Sequence, residues 1–355
     1  MSWSRIALLL SALVASSCAV SPEDELTSQT EQALKPTCPV WGCGSNSPEI
    51  DKLGFWELHE RGDANRQGFR IQWFRKYVNG TYQYFRPDVY KAELVGRNPD
   101  GSIGLPAGAV VGSELRLTRD GSTSIYRLRI ADTQRTHYWA RPELGRVTRT
   151  YRLEWYDETA PPLGMIPWKN VCRDPGAEHD GSTMDPFHAV LFDDDRIDGP
   201  RKRVTGHSRD WFTIGCAGSA LAKQHLTGHT RAASEALGIT TSLAQRTANL
   251  KMITADYCGT GEPFTFAGAA LHWKDAYGWL DTVASTDVIE ARWNEYGAMC
   301  LDDPRVHYNQ TPLFFATWPD GDIEDDIAAE CPRPPPCKPG LGTFYGAHLI
   351  SASSP

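Results

Sequence analysis

The sequence lacks the features that would assign it to several common classes of protein. No stretch after residue 17 reaches roughly 18 consecutive apolar residues, so no membrane-spanning helix is predicted there. Acidic residues outnumber basic ones, 44 against 36, and the net charge of −8 argues against binding to nucleic-acid phosphates. No phosphate-binding loop or dinucleotide fingerprint occurs in a strand–helix context, and no cofactor is predicted. The remaining composition, 41% apolar and 23% charged, predicts a globular protein.

The first segment has the composition of an export signal. In residues 1–17 a single basic residue, Arg5, precedes an apolar stretch that is too short to cross a bilayer. Small residues then lead directly to Cys18, which resembles the bacterial lipobox, whose cysteine is lipid-modified and begins the mature protein. The alternative is an ordinary signal peptide with Cys18 incidental. We therefore predict a bacterial lipoprotein, anchored through Cys18 in the outer membrane or at the cell surface and facing the periplasm or the exterior.

Nine cysteines are an odd number, and the anchor accounts for one of them. The proline-rich segment between Cys331 and Cys337 spans roughly 19 Å when extended, so these two are predicted to bond different partners. Cys38 and Cys43 flank a turn-compatible segment and could bond each other. The candidates for disulfide bonds in an oxidising compartment, with their pairing open, are Cys38, Cys43, Cys172, Cys216, Cys258, Cys300, Cys331 and Cys337.

Composition divides the chain near residue 160, where the segment 160–164 supplies proline and glycine breakers. Residues 51–160 contain no cysteine and alternate apolar and polar residues, whereas most cysteines lie later. We predict an α+β protein whose parts are a polar tether at 18–50, an antiparallel β module at 51–160 (a sandwich or a small barrel), a disulfide-stapled α+β domain at 165–335 and a proline-rich, irregular tail at 336–355.

The β module contains a strong hairpin signal at Asn79-Gly80. Closing this turn places Tyr77 opposite Tyr82 and, on the other face, Phe74 opposite Phe85. Core packing and such cross-strand pairs account for most aromatic residues of the module. A sugar- or peptide-binding platform is the alternative use of these rings.

Several segments of the second part have recognisable patterns. The pair Ser242 and Gln245 predicts a capping box, followed by a helix that runs through Asp256 and is ended by Gly259 and Gly261. The other predicted elements are a strand at His188–Phe192, a solvated acidic turn at Asp193–Gly199, a helical segment at Ala217–Gln224, an acidic helix at Ile323–Glu330, and a strand or helix, left open, at Val288–Trp293.

No metal site is predicted. His225 and His229 have the i, i+4 spacing of zinc ligands, but Leu226 stands where the zincin motif needs Glu, so we expect histidines near a helix C-terminus that favour its dipole. The acidic runs that begin at Asp193 and Asp320 fail the EF-hand pattern and are interpreted as solvated turns.

Three residues are candidates for acid–base chemistry. Asp256 lies at a predicted helix end, where its charge opposes the dipole, so it needs a compensating Arg or backbone N–H groups of the Gly259–Gly261 turn. Tyr257 is adjacent to it. His207 lies near a serine and an aspartate in residues 206–210, although the glycine of a nucleophile elbow is missing.

The motif Ala255-Asp256-Tyr257-Cys258-Gly259 resembles the signature of the ADYC-domain family. The stretches 211–223, 290–293 and 297–300 are also similar to that family, so the resemblance covers about residues 170–335. Gln224 departs from it, because many relatives have a further cysteine there. The resemblance implies an exported, often lipidated protein, found chiefly in myxobacteria, and it implies no activity, ligand or catalytic residue.

These observations favour a binding or interaction protein of the cell envelope without catalysis, with an envelope protein or a glycan as its ligand and with no nucleic acid. The alternative is an extracytoplasmic hydrolase with a site between the β module and the ADYC domain, where Asp256, Tyr257 and His207 would converge. Enzymatic activity is left open, with the non-catalytic interpretation preferred.

Overall fold

The computed structural model describes most of the chain after residue 45. The described residues are 46–48, 50, 54–159, 168–172, 184–185, 187–284, 286–305, 323–340 and 343–353, and they lie in one compact unit, Pro36–Pro355. The predicted export signal, Cys18, Cys38 and Cys43 lie outside the described residues, and so do the boundary segment 160–164 and the acidic residues 320–322.

Eleven strands of the described chain form one antiparallel sheet. They are β1 (Glu57–His59), β2 (Phe69–Val78), β3 (Thr81–Tyr90), β4 (Glu93–Arg97), β5 (Ile103–Leu105), β6 (Glu114–Arg119), β7 (Ile125–His137), β8 (Val147–Asp157), β9 (Lys169–Asn170), β10 (His188–Asp198) and β11 (Arg203–Cys216). The strand order is β1-β11-β10-β8-β7-β6-β2-β3-β4-β5, and β9 pairs with β8.

The hairpin of β2 and β3 has the register that the sequence predicts. Tyr77 is opposite Tyr82 and Phe74 is opposite Phe85. The turn residues Asn79 and Gly80 both have left-handed φ angles, 49° and 84°. This is the type I′ geometry that matches the twist of the two strands.

The large sheet packs around one apolar core. Leu58, Phe74 and Leu128 belong to one buried cluster to which strands along the whole sheet contribute. The Leu94 N–H of β4 donates to the Tyr151 hydroxyl of β8 at 2.7 Å. Strands β3 and β4 also contact β10. Strands that are distant in the sheet order are therefore brought together around this core.

The same sheet continues past the composition change near residue 160. Strand β8, from the first predicted part, pairs with β10, from the second, through Tyr151–Ala189 and Thr150–Val190. The two parts therefore share one sheet within the described residues.

A second antiparallel sheet contains β12 (His272–Asp275), β13 (Val288–Asn294), β14 (Gly297–Leu301) and β15 (Leu349–Ser353), in the order β12-β15-β13-β14. The segment Val288–Trp293, which sequence left open, is a strand. The prediction of an irregular tail is wrong at β15, which pairs on both sides and buries Leu349 and Ile350. The Trp293 indole N–H also donates to the Ser351 hydroxyl at 2.8 Å.

The described helices are α1 (Ala220–Leu226), α2 (Arg231–Leu237), α3 (Leu243–Ile253) and α4 (Ile323–Glu330), with 3₁₀ turns at Ala107–Ala109 and Pro142–Leu144. The capping box of α3 is confirmed: Gln245 N–H donates to the Ser242 hydroxyl at 3.1 Å, and Ser242 N–H donates to the Gln245 side chain at 2.6 Å. Among the described residues no helix has the length and apolarity needed to cross a membrane.

The predicted solvated turn at Asp193–Gly199 is wrong, because β10 runs through this acidic segment to Asp198. Asp195 is buried, lies 3.1 Å from the Arg246 guanidinium and accepts a hydrogen bond from Arg231 N–H at 2.8 Å. Asp194 lies 3.1 Å from the Arg231 guanidinium. These cations, which come from helices distant in sequence, allow the acids to lie in a strand.

Three disulfide bonds lie within the described residues: Cys172–Cys216, Cys258–Cys331 and Cys300–Cys337. The prediction that Cys331 and Cys337 bond different partners is confirmed. Together, the large antiparallel sheet, the few helices and these bonds confirm the α+β class.

Candidate functional site

The Ala255–Gly259 motif begins at the end of α3. The helix ends at Ile253, earlier than predicted, and Ala255 adopts a left-handed φ of 51°. Asp256 N–H donates to Lys251 O at 2.9 Å and Ala255 N–H to Met252 O at 3.1 Å, which is the Schellman pattern with alanine at the position usually taken by glycine.

Gly259 serves the turn that follows the helix. Its φ is 71°, and an added Cβ would lie 1.7 Å from the Tyr296 carbonyl oxygen. Only glycine fits this close approach to the β13–β14 turn.

Asp256 is completely buried and compensated. Its Oδ2 lies 2.7 Å from Lys251 Nζ and accepts a hydrogen bond from Gly261 N–H at 3.0 Å. The backbone donor is the one the sequence predicts, while the cation is Lys251 and not an arginine. Lys251 also donates to Gly259 O and Arg201 O, at 3.0 and 3.2 Å. Asp256 thus fixes the conformation of this turn.

Tyr257 is also buried and belongs to a second cluster of charged groups. Its hydroxyl donates to Glu290 Oε1 at 2.7 Å, and Arg305 Nε donates to the same oxygen at 2.8 Å. The ring stacks on Trp293 with 5.2 Å between centroids. Burial, followed by the neighbouring Glu290 charge, raises the pKa of the Tyr257 hydroxyl well above its ordinary value. The tyrosine of the motif is therefore a buried packing and hydrogen-bonding residue.

His207 lies elsewhere, on β11 opposite Asp195 of β10. Its Nδ1 is 3.9 Å from Asp195 Oδ1, and its side chain is exposed. Burial, and then the charges of Arg246 and Arg231, lower its pKa. The described contacts of the three candidates thus lead in different directions: His207 faces Asp195, Asp256 faces Lys251 and Tyr257 faces Glu290.

His225 and His229 are both fully buried. His225 stacks on Phe192, and burial lowers its pKa to about 3. It is therefore neutral and cannot stabilise the helix dipole as a cation, contrary to the sequence-based expectation. Its two ring nitrogens bond to hydroxyl groups, Nδ1 to Thr230 at 2.9 Å and Nε2 to Thr148 at 3.3 Å.

A charged cleft of about 490 Å³ lies where the β3–β4 hairpin faces β10, β11 and α2. Its walls come from both predicted parts of the chain. The turn between β3 and β4 is tight, with left-handed Lys91 and Ala92. A β-bulge between Asp193 and Asp194 of β10, with a left-handed φ of 78° at Asp194, changes the direction of the strand beside the cleft.

A pair of carboxyl groups lies in this cleft. Glu60 and Asp88 are both buried and line the cleft together. Burial, and then the neighbouring Asp88 carboxyl, raise the pKa of Glu60 to about 9. Burial, and then the charges of Asp194 and Asp88, raise the pKa of Asp193 to about 7. Such shifts in a cleft indicate a candidate site.

Most cations around the cleft already have partners. Arg97 pairs with Asp88, and Arg61 pairs with Asp210 at 3.2 Å. Arg209 approaches Asp194 at 3.9 Å. The cleft thus contains several ion pairs together with two acids, Glu60 and Asp193, that have no ion-pair partner among the described residues.

The outer face of the large sheet carries aromatic and arginine side chains, of which three tyrosines are exposed and the others are half-buried or buried. This face is here named the aromatic–arginine face: Trp73, Arg75, Tyr77, Tyr82, Tyr84, Arg127, Arg129, Tyr156 and Trp168. Tyr77 and Tyr84 are each 58% exposed and Tyr82 is 43% exposed. The Arg75 guanidinium lies 3.7 Å from the Tyr82 ring centroid and 4.2 Å from that of Trp73. Further along the face, Arg129 lies 4.2 Å from the Trp168 ring.

The charges of this face are balanced by acidic residues between the arginines. Arg75 pairs with Glu114 at 2.9 Å, and Arg129 pairs with Glu154 at 2.6 Å. The cross-strand pair of Tyr77 and Tyr82 predicted from sequence is present, and these two rings, with Tyr84, are also exposed to solvent.

Sequence reasoning missed the cleft. Glu60 and Asp88 stand in no motif and come together only in the fold, where Glu60, directly after β1, and Asp88 of β3 line the same cleft. Asp193 does lie in an acidic run, but burial along β10 follows no alternation: His188–Phe192 are all buried, and so are Asp194 and Asp195. The signal in the sequence that could have placed Asp193 in a strand is that its acidic run directly follows the strand predicted at His188–Phe192.

Comparison with known proteins finds one matching domain. The ADYC domain matches residues 107–307, which is more than half of the 355-residue chain. The match begins inside the large sheet, well before the stretch in which the sequence motifs are recognised. No curated protein and no solved structure matches the chain.

Proposed function

We propose that this chain, which belongs to the ADYC-domain family, is an exported, non-catalytic binding protein of the bacterial cell envelope with a glycan as its ligand. The observation that carries this proposal is the aromatic–arginine face, where the Arg75 guanidinium lies between the rings of Trp73 and Tyr82. A glycan presents flat apolar ring faces edged by hydroxyl groups. Exposed aromatic rings pack against such faces, and planar guanidinium and carboxylate groups bond the hydroxyls.

The charge balance of the face supports a neutral ligand. Because Arg75, Arg116 and Arg129 are paired with Glu114, Glu158 and Glu154, the face presents little unpaired charge. An anionic polymer would gain little from it, whereas an uncharged sugar chain needs donors and acceptors of both kinds. The burial of Asp256 and Tyr257 away from solvent supports binding over hydrolysis.

The glycan proposal is tested with soluble chitohexaose, an uncharged chain of N-acetylglucosamine, and the purified full-length protein. The variant with both Tyr82→Ala and Tyr84→Ala removes two exposed rings, and we expect it to weaken binding at least tenfold in calorimetric titration. Tyr296→Ala is the matched control, since Tyr296 is 75% exposed but belongs to the turn between β13 and β14. Equal binding by the double variant and the control, or no binding by the wild type, contradicts the proposal.

The location of the protein is part of the same proposal and rests on Cys18. Two or three acyl chains hold a protein on a membrane stably, whereas one chain does so only marginally. In the producing bacterium, Cys18→Ala is expected to move the protein from the membrane fraction to the soluble exported fraction. Ser16→Ala, which keeps the cysteine, should stay with the membrane. A Cys18→Ala protein that remains on the membrane refutes the anchor.

A further inference from the structure

Two buried carboxyl oxygens of the charged cleft have no hydrogen-bond partner among the described residues: Glu60 Oε1 and Asp193 Oδ1. The Glu60 residue is only 5% exposed, yet its side chain lines the cleft. A buried acceptor without a donor is destabilising, and it is retained mainly where something outside the chain supplies the donor.

The same two acids also lack an ion-pair partner within the part of the chain that the structure describes, although cations surround them. Arg97 is engaged by Asp88, Arg61 by Asp210, and Arg231 by Asp194. The described residues therefore leave these two acids without an ion-pair partner and without a donor at Glu60 Oε1 and Asp193 Oδ1, although the Arg86 charge acts on Glu60 from within the cleft.

We propose that the floor of this cleft binds an organic cation, an ammonium or guanidinium group, which donates its N–H groups to Glu60 and Asp193. Such a group supplies what these two acids lack. An ammonium carries several N–H donors and a positive charge on one nitrogen, and a guanidinium carries them on one planar group. The site is separate from the aromatic–arginine face, so this inference does not depend on the glycan proposal.

The size and lining of the cleft favour an organic cation over a metal ion. A volume of about 490 Å³ is far larger than a bare ion needs, since one water occupies about 30 Å³. Among the described residues no group of three acidic, histidine or cysteine side chains has the spacing of a metal site. The Tyr90 ring lines the cleft and already has Lys91 Nζ at 5.3 Å, so it accepts cations on its face.

Binding is expected to depend on pH. A protonated Glu60 carries no charge to pair with a cationic ligand, so binding of the ligand is coupled to loss of that proton. Of the charged groups that line the cleft, Asp88 and Arg86 of β3 act directly on Glu60. The other charged groups of the lining are Arg61 after β1, Lys91 of the turn, Arg97 of β4, Asp193 and Asp194 of β10, Arg209 and Asp210 of β11, and Glu235 of α2. With the pKa of Glu60 raised to about 9, affinity should rise close to tenfold from pH 7 to pH 8.

The test is calorimetric titration of the full-length protein with 1,5-diaminopentane, with glutarate as an anion of similar length. We expect saturable binding of the diamine, no binding of glutarate, and proton release at pH 7. Glu60→Gln should weaken binding at least tenfold and remove its pH dependence. Glu143→Gln makes the same change on an exposed turn and should bind like the wild type.

Four outcomes overturn the inference: no diamine binding by folded wild-type protein at pH 8, binding of glutarate instead, wild-type affinity in Glu60→Gln, or calcium binding that the diamine does not displace. If Glu60→Gln fails to fold, Asp193→Asn is decisive in the same titration. Loss of diamine binding in this variant supports the site, and retention refutes it.

Discussion

His225 illustrates how this protein keeps an ionisable group in its interior. Its ring lies almost parallel to Phe192, with centroids 5.1 Å apart, while its two nitrogens bond to hydroxyl groups. Each of these contacts suits a neutral imidazole. A proton on this ring would place a charge in a site with no carboxylate to balance it among the contacts described, and that would cost free energy.

The stability of the protein is therefore expected to fall on acidification because of His225. Its pKa is about 3 in the folded state and about 6.5 when unfolded, so the unfolded chain binds the proton first. The contribution of neutral His225 to the free energy of unfolding is complete above pH 6.5 and is lost as the pH falls towards 3. At pH 5 the loss is about 2 kcal/mol. Urea unfolding of the wild type and of His225→Gln at pH 7 and pH 5 measures the difference.

The comparison between wild type and His225→Gln isolates His225, because the other buried bases, among them Lys223, His188 and His229, are present in both proteins. Burial lowers the pKa of Lys223 to about 7 from its ordinary 10.5, so its contribution is lost as pH falls between those values and changes little below them. If wild type and His225→Gln lose the same stability between pH 7 and pH 5, the assignment to His225 is wrong.

At the scale of elements, the β2–β3 hairpin shows what a short local signal can determine. Asn79 and Gly80 carry the turn because both tolerate a left-handed φ, and the register of the strands follows from the turn alone. The Ser242–Gln245 capping box is a second example, since its partners are three residues apart. Both features could be predicted because every atom that matters lies within a few residues.

Replacement of Gly80 by alanine is expected to destabilise the protein by about 1 kcal/mol. The backbone at Gly80 has φ of +84° with open space around a Cβ, so the cost comes from conformation and not from a clash. Gly108→Ala is the matched control, because a Cβ there also meets nothing but no left-handed φ is involved. Chemical denaturation gives both values, and equal values for the two variants would contradict the explanation.

Other elements depended on partners that are distant in the sequence. Strand β10 carries three consecutive acids, which by themselves favour a solvated turn. Two of these acids are neutralised by arginines: Asp195 faces Arg246 of α3, and Asp194 faces Arg231 of α2. Strand β15 was missed for a similar reason, since its burial follows from pairing with β12 and β13.

At the scale of the whole molecule, the disulfides connect regions that the sheets do not. Cys258, next to the buried pair Lys251–Asp256, bonds Cys331 at the end of α4 across a separation of 73 residues. Cys300–Cys337 joins β14 to the proline-rich segment. These links tie the later part of the chain to the second sheet.

Removal of the Cys258–Cys331 bond is expected to be costly. In the chain-entropy description a closed loop of 73 residues stabilises the folded state by about 4 kcal/mol. The variant with both Cys258→Ser and Cys331→Ser should lose about that much in guanidinium unfolding of the oxidised protein. A loss below about 1 kcal/mol, or peptide mapping that finds Cys258 bonded elsewhere, would contradict this.

The sequence alone determined features that depend on neighbouring residues or on composition: the α+β class, the hairpin register, the capping box, the different partners of Cys331 and Cys337, and the family. Tertiary structure alone decided which polar groups lie inside. It buried Asp256 and Tyr257, which the sequence had made candidates for acid–base chemistry. It also brought Glu60, Asp88 and Asp193 together in one cleft from positions that are distant in the sequence. A carboxyl group acquires its environment from whatever packs against it, and that information is absent from the residues beside it in the chain.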